Sequence, residues 1–236
     1  MVHDSGEEYY QSETVAEEYD EKRFSGQGGS YIRRMEREAF LSLLPELKGK
    51  KVLDVATGTG RLAIDMARAG ADVTAADISE EMVKKAQAKS ERQGIDIDYF
   101  VSNAEDLPFE ESSFDIVTSQ RFLHLVPDHR PYLEEWTRVG TEALVYDYFN
   151  MWSMRLFYDW ALPMESYLHR PSRIRSILTE LGVENIEEER RMFIPYGAIR
   201  HRTGPHVTAL IKINNLMQKL DIANSVVYVR ADIMND

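Results

Sequence analysis

The stretch 52-VLDVATGTGRLAI-64 decides how this chain folds. Residues 52–56 have the apolar pattern of a buried strand, and residues 61–69 have that of a helix. Gly58 and Gly60 lie between them, where the lack of a Cβ permits a tight turn and lets a ligand approach the backbone. The N-terminus of the helix offers unpaired N–H groups to an anion or a polar group. We therefore predict a ligand site at this turn.

Short apolar runs continue to alternate with helical patterns along the chain. The predicted strands are 51–56, 72–77, 97–102, 114–119, 143–149, 186–194 and 225–233. The predicted helices are 61–69, 79–94 with Ser79 as N-cap, 171–181 and 206–220. This order predicts an α/β fold with a doubly wound parallel sheet and right-handed crossovers. The first 45 residues are predicted as two helices around the turn 25-SGQGGS-30.

Composition limits the classes of function. The 236 residues are 43% hydrophobic and 29% charged, and no run approaches the roughly 18 apolar residues of a membrane span. The acidic N-terminus lacks the apolar core of a secretory signal. Cysteine is absent, which excludes disulfides, thiolate zinc sites and cysteine nucleophiles and is compatible with the cytoplasm. The histidines show no metal-binding pattern, so no metal is predicted.

Charge argues against a nucleic-acid partner. The net charge is −12; residues 1–21 hold eight acids and no Lys or Arg, and the remainder carries −4. Such a chain does not attract a phosphate backbone without a compensating basic patch. Small basic groups, such as Arg170, Arg173 and Arg175, are interpreted as solvated surface.

The opening turn also fits a second class of site. Residues 58–63 match G-x-G-x-x-A, the dinucleotide fingerprint, and Asp77 at the end of the second strand could hold ribose hydroxyls in either case. Two features oppose the dinucleotide interpretation. Asp54 lies inside the first strand, and 102-SNAEDLPFEESSFDIV-117 places a polar cluster after the third strand.

These motifs together resemble the class I S-adenosylmethionine-dependent methyltransferases, and most of all the branch of ubiquinone and menaquinone biosynthesis. The resemblance covers about residues 45–150 and implies a mostly parallel, seven-stranded Rossmann-like sheet whose last strand is antiparallel. It implies S-adenosylmethionine as methyl donor. The positions implied to contact it are Asp54, Ala56, Thr57, Gly58, Gly60, Asp77, Ile78, Met82, Asn103, Ala104, Glu105, Gln120 and, from the N-terminal helix, Arg23. Asp77 would hold the ribose, Ile78 and Asn103 with Ala104 the adenine, and the glycine turn with Gln120 the methionine part.

The chain departs from the family pattern at three points. Ala56 stands where glycine is usual, which is expected to narrow the loop slightly. Asn103 replaces a more usual Asp, and its amide oxygen can still accept from adenine. Before the fifth strand, residues 139–142 replace a longer Lys-Pro-Gly-Gly turn.

Three stretches are candidates for the acceptor site. In 19-YDEKRF-24, Tyr19 could be a lid or an acid–base group, or a packing anchor of a capping helix. In 120-QRFLHLVPDH-129, His124 could act as a base or merely pack and orient. The stretch 146–167 contains eight of the chain's 24 aromatic residues and three Met, typical of a cover over an apolar acceptor or of a dimer contact.

The sequence thus predicts an acidic tail and helical cap at 1–45 and a methyltransferase domain at 46–236, with a cover at about 150–172. The predicted reaction is in-line methyl transfer to a small, apolar or aromatic acceptor. Cytosine C5 methylation by a cysteine adduct is excluded by the lack of Cys. The lack of an Asn/Asp-Pro-Pro-Tyr/Phe motif, together with the charge, argues against methylation of the exocyclic amines of bases. Two alternatives remain: a cofactor-binding regulatory or partner protein without turnover, and a protein methyltransferase. A homodimer is possible.

Overall fold

A computed structural model describes residues 24–153, 155, 166–221 and 223–234. The strands are β1 (Lys51–Val55), β2 (Asp72–Asp77), β3 (Asp98–Val101), β4 (Phe114–Ser119), β5 (Gly140–Phe149), β6 (Val183–Arg191) and β7 (Val226–Ile233). The helices are α1 (Gly26–Leu43), α2 (Arg61–Arg68), α3 (Glu80–Glu91), α4 (Arg130–Val139), α5 (Pro171–Glu180), α6 (Tyr196–Ile199) and α7 (Pro205–Lys219). A 3-10 turn (Leu123–Leu125) follows β4.

The strands form one seven-stranded sheet in the order β3-β2-β1-β4-β5-β7-β6. Strands β1 to β5 pair in parallel, whereas β7 runs antiparallel to both β5 and β6. The strand order reverses between β1 and β4, which is where open α/β sheets bind ligands beyond the carboxyl ends of their strands. The predicted fold class, a doubly wound and mostly parallel sheet, is confirmed.

Helices cover both faces of the sheet. Successive residues of a strand point to opposite faces. Val52 on β1 accordingly packs in a core with α1 and α2, while its neighbour Leu53 packs in a second core with α4 and α5. Both residues are fully buried, so β1 is the two-sided, apolar central strand that its sequence predicts.

Some element boundaries differ from the predictions. Strand β5 begins at Gly140 directly after α4, so residues 139–142 join a helix to a strand without a separate turn. Strand β6 begins at Val183, three residues before its predicted start at 186. Helix α4 was not predicted, although its buried residues have helical spacing: Tyr132, Leu133, Trp136 and Val139.

The prediction of a turn at residues 25–30 is wrong. This stretch enters the first turns of α1, and the glycines there serve close packing. A Cβ on Gly28 would lie 1.8 Å from the carbonyl oxygen of Ile199, and one on Gly29 would lie 2.4 Å from the carbonyl carbon of Phe24. The helix predicted before this stretch lies outside the described residues.

Candidate functional site

The carboxylate of Asp54 joins the turn after β1 to the neighbouring strand β4. Its side chain is 1% exposed. The hydroxyl of Thr57 donates to Oδ2 at 2.6 Å, and that of Thr118 donates to Oδ1 at 2.9 Å. Burial raises the pKa of Asp54 to about 6, and the two hydroxyl bonds oppose this rise. Asp54 therefore holds the turn rigidly at the carboxyl end of β1.

The turn itself depends on left-handed backbone. Gly58 and Gly60 have φ of 55° and 70°, a region that glycine adopts without penalty. A Cβ on Gly60 would lie 2.8 Å from the Cβ of Ala86, so this position must stay bare for α2 to pack against α3. A Cβ on Gly58 would meet nothing within 4 Å, so its Cα faces open space. Alanine at position 56, where the family usually has glycine, strains the backbone, because this residue also adopts a left-handed φ, of 54°.

Asp77 fixes the same turn from β2. Its Oδ2 accepts the N–H of Gly58 at 2.8 Å, and its Oδ1 accepts the N–H of Ser79 at 2.9 Å. Burial raises the pKa of Asp77, and the bonds from Ser79 and Gly58 oppose that rise. Ser79 caps α3 as predicted, since its Oγ accepts the N–H of Met82 at 3.3 Å. The side chain of Met82 is buried.

The loop after β3 lies beside this pair of acids. The N–H of Ser102 donates to the carbonyl of Asp77 at 3.0 Å. Asn103 and Glu105 form a local turn in which the N–H of Glu105 donates to Oδ1 of Asn103 at 3.3 Å. The indole of Trp136 donates to the carbonyl of Ala104 at 3.0 Å. Trp136 belongs to the helix that the sequence analysis did not find, so its role in fixing this loop was missed.

Gln120 follows β4 and lines a cleft of about 630 Å³ between α1 and α2. Phe24, Glu36 and Arg61 line the same cleft. Nε2 of Gln120 is buried and has no hydrogen-bond partner among the described residues. A buried amide without a partner is a candidate contact for a bound polar molecule.

A buried charged cluster, which the sequence analysis missed, lies next to Gln120. The backbone N–H of Arg121 donates to Oδ1 of Asp147 at 2.5 Å, and its Nε lies 3.8 Å from Oε1 of Glu36. The hydroxyl of Tyr196 donates to the same Oε1 at 3.0 Å. One signal could have found it: Asp147 is an acid within an apolar strand, as Asp54 is.

Of the two candidate catalytic residues, only His124 is described. It lies in the 3-10 turn after β4, is buried, and its ring centroid is 4.3 Å from that of Phe149. Its carbonyl accepts the N–H of Tyr167 at 2.8 Å, which connects it to the end of the predicted cover. Tyr19 and Arg23 lie outside the described residues, as do residues 154 and 156–165 of the predicted cover.

Most of the predicted cofactor residues converge at one edge of the sheet. Asp54, Thr57, Gly58 and Asp77 are connected by hydrogen bonds, as described above. Ile78, half-buried, follows Asp77, while Asn103 and Ala104 follow β3 and Gln120 follows β4. These residues therefore lie together at the carboxyl ends of β1, β2, β3 and β4, and of them Gln120 also lines the cleft.

Comparison with known sequences agrees with this geometry. The family model described as a methyltransferase domain matches residues 53–142. A ubiquinone biosynthesis O-methyltransferase of Xanthomonas euvesicatoria is 46% identical over 93 residues, which are 39% of this chain and 39% of that protein. An uncharacterised protein of Mycobacterium bovis is 40% identical over 92 residues, which are 39% of this chain and 34% of that protein. The matched segment thus spans less than half of the curated relatives.

Solved structures match over nearly the whole chain. A magnesium protoporphyrin IX methyltransferase of Synechocystis with bound S-adenosylhomocysteine has a TM-score of 0.69 at 18% identity, covering 97% of both chains. A possible histamine N-methyltransferase of Thermotoga maritima has a TM-score of 0.69 at 16% identity, covering 96% of this chain and 99% of that one. The fold is that of the class I methyltransferases. Within it, residues 53–142 match the model of a methyltransferase domain, and the resemblance predicted from the motifs is confirmed.

Among the described residues, no helix combines the length and the apolar character needed to cross a membrane.

Proposed function

We propose that this chain is an S-adenosylmethionine-dependent methyltransferase that acts on a small acceptor. The observation that carries the proposal is that Asp54 and Asp77 both accept hydrogen bonds from the glycine turn, from Thr57 and Gly58 respectively. The two acids fix an open, glycine-lined edge where the strand order of the sheet reverses. A ligand that carries both a ribose and a charged amino-acid part suits this combination of carboxylates, bare backbone and helix N-terminus.

The residues present fit this ligand. Gly58 faces open space, and the amide of Gln120 has an unpartnered donor. Asp77 would hold the ribose hydroxyls, with Ile78, Met82, Asn103, Ala104 and Glu105 around the adenine. Asp54, Ala56, Thr57, Gly58, Gly60 and Gln120 would surround the methionine part, with Arg23 as a further contact to its carboxylate. Bound S-adenosylmethionine supplies a sulfonium methyl group that is already activated.

The chain then has to orient the acceptor and exclude water from it. Phe149, at the carboxyl end of β5, packs against His124 with the ring centroids 4.3 Å apart, and the two rings form an aromatic wall. This wall favours an apolar or aromatic acceptor body. His124 is the candidate base, with Tyr19 as a possible partner, and residues 1–45 and 150–172 would cover the site.

Calorimetric titration of the full chain tests cofactor binding. S-adenosylmethionine and S-adenosylhomocysteine should bind with micromolar affinity, and NAD, the control, should not bind. Binding of NAD alone would contradict the proposal and favour the dinucleotide interpretation of the turn.

Turnover needs a second experiment. Transfer of a radiolabelled methyl group from S-adenosylmethionine should be measured with a panel of small apolar and aromatic hydroxyl and amine compounds, and with protein substrates. Transfer to a small compound supports the proposal. Cofactor binding without transfer to any acceptor would favour a regulatory protein, and transfer to proteins alone would favour a protein methyltransferase.

A further inference from the structure

We propose that the acceptor of this site carries a carboxylate group, which the guanidinium of Arg121 binds. That the bound anion is the methyl acceptor rests on the proposed function. The anion site itself is supported independently by the side chain of Arg121, its aromatic neighbours and the charge of the adjoining cleft.

Two of the three guanidinium nitrogens of Arg121 are buried and have no hydrogen-bond partner among the described residues. These two nitrogens are Nε and Nη1, and the side chain is 7% exposed. Asp147 accepts from the backbone N–H of Arg121, so that bond leaves the guanidinium unused. Oε1 of Glu36 lies 3.8 Å from Nε, beyond hydrogen-bond distance. A buried guanidinium with unused donors is unfavourable unless a ligand satisfies them.

Arg121 also lies at the edge of the sheet where the predicted cofactor residues converge. It directly follows Gln120, at the carboxyl end of β4 and beside the cleft that Gln120 lines. Its backbone adopts a left-handed φ of 66°, a conformation that a long side chain rarely occupies and that is concentrated at functional sites. The bond from its N–H to Asp147 holds this conformation in place.

Aromatic rings form two walls around the guanidinium. Its Cζ lies 4.5 Å from the ring centroid of Phe149 and 4.9 Å from that of Tyr196. Arg155 also stacks on Phe149, with its Cζ 3.9 Å from the centroid. Rings on which a guanidinium stacks leave its edge, with the N–H donors, available to a planar anion.

The neighbouring acids limit which anion fits. Glu36 lies 3.8 Å from Nε of Arg121 and Asp147 accepts its backbone N–H, and these nearby carboxylates repel a dianionic phosphate more strongly than a monoanion. A carboxylate carries one charge and matches the planar guanidinium fork in a bidentate pair. A carboxylate attached to an aromatic or apolar body therefore fits both the guanidinium and its walls.

The adjoining cleft would attract such an anion. Although the chain has a net charge of −12, six cationic side chains line this cleft: Arg33, Arg34, Arg37, Arg61, Arg68 and Lys89. Two acids line the cleft as well, Glu36 and Asp65, of which Asp65 pairs with Arg37 at 2.6 Å, so the six cations exceed the acids by four. A concave surface with one excess sign of charge raises the local concentration of the opposite ion.

The test uses the full chain saturated with S-adenosylhomocysteine and three probes: benzoate, its neutral isostere benzamide, and phenylphosphate. Dissociation constants would be measured by calorimetry or ligand-observed NMR. We expect benzoate to bind at least tenfold more tightly than benzamide and more tightly than phenylphosphate. In Arg121→Met the preference for benzoate over benzamide should vanish, and in Arg121→Lys it should fall to an intermediate value. The matched control Arg173→Met, at an exposed arginine on α5, should retain it.

Equal affinity of the wild-type chain for benzoate and benzamide would overturn the proposal, as would an undiminished preference in Arg121→Met. A preference for phenylphosphate would overturn the choice of a carboxylate. The comparison of benzoate with benzamide on the wild-type chain tests the proposal even if Arg121→Met does not fold. If the wild-type chain fails to bind S-adenosylhomocysteine, the proposed function fails, and the same titrations without it test the anion site separately.

Discussion

The backbone N–H of Gly58 donates to Oδ2 of Asp77 at 2.8 Å, so a carboxylate at the end of β2 holds the turn that follows β1. The same carboxylate accepts the N–H of Ser79 at the start of α3. Asp77 thus organises two loops of the site in addition to the ribose contact that the family resemblance implies.

Replacement of Asp77 should weaken cofactor binding. In Asp77→Asn the side chain keeps its size but loses one acceptor and the charge at the N-terminus of α3. Loss of a hydrogen bond to a charged group costs about 1.5–3 kcal/mol, so the dissociation constant for S-adenosylhomocysteine should rise roughly 10- to 100-fold. Calorimetry would measure it.

Asp72→Asn is the matched control, because Asp72 is exposed at the other end of β2. Its affinity should equal that of the wild-type chain. Full affinity in Asp77→Asn would count against the assignment of Asp77 to the cofactor site.

Replacement of Ala56 by glycine should stabilise the chain. Ala56 has a φ of 54°, where a Cβ is disfavoured by about 1 kcal/mol. We expect Ala56→Gly to raise the free energy of unfolding by at most about that amount. Glycine also adds entropy to the unfolded chain, which offsets part of the gain. Chemical denaturation would measure the change. Ala75→Gly, at a buried position of β2 with ordinary backbone, should destabilise instead; a loss of stability in Ala56→Gly would contradict the argument.

Asp54 should make stability depend on pH between about 4 and 6. Its pKa is raised from 3.8 to about 6, so the folded state holds this proton more tightly than the unfolded state. The stabilisation by that proton is complete below about pH 4 and is lost as the pH rises to about 6; it amounts to about 3 kcal/mol. Asp54→Asn should remove this dependence, as seen in unfolding curves between pH 4 and 7. Asp96→Asn, at an exposed position, should keep it.

Two histidines in contact, the buried His129 and the half-buried His169, should change the stability with pH in the opposite direction. Their ring centroids are 3.7 Å apart. Burial, with the neighbouring His169, lowers the pKa of His129 from 6.5 to about 3, and burial lowers that of His169 to about 4. The unfolded state therefore binds more protons below pH 6.5, so this stability is full above pH 6.5 and is lost as the pH falls towards 3.

For His129 alone, the slope of stability against pH should approach about 1.4 kcal/mol per pH unit in that window. His129→Gln should reduce the slope while keeping a donor for the carbonyl of Leu123, which Nε2 of His129 meets at 3.0 Å. His206→Gln, on exposed α7, should leave the slope unchanged. Equal slopes for His129→Gln and the wild-type chain would refute the assignment.

Local sequence was sufficient for the central strands and the cofactor edge. β1, β2 and β4 were predicted within one residue because strands buried on both faces are short apolar runs between turn residues. The stretch at residues 25–30 was misread because a glycine needed for close packing and a glycine needed for a turn look the same in a sequence. The contact of Gly28 with Ile199, which is far along the chain, shows that packing is the reason for this glycine, and that contact exists only in the folded chain.

By itself the sequence determined the α/β class, the glycine turn with Asp54 and Asp77, and the methyltransferase resemblance, because these depend on residues that are close together along the chain. The tertiary structure alone decided the surroundings of Arg121. Glu36 comes from α1, Asp147 and Phe149 from β5, and Tyr196 from α6. No local sequence pattern therefore predicts that these residues contact Arg121. A cofactor edge follows from strand order and local motifs, whereas an acceptor pocket is assembled from distant segments whose contacts only folding creates.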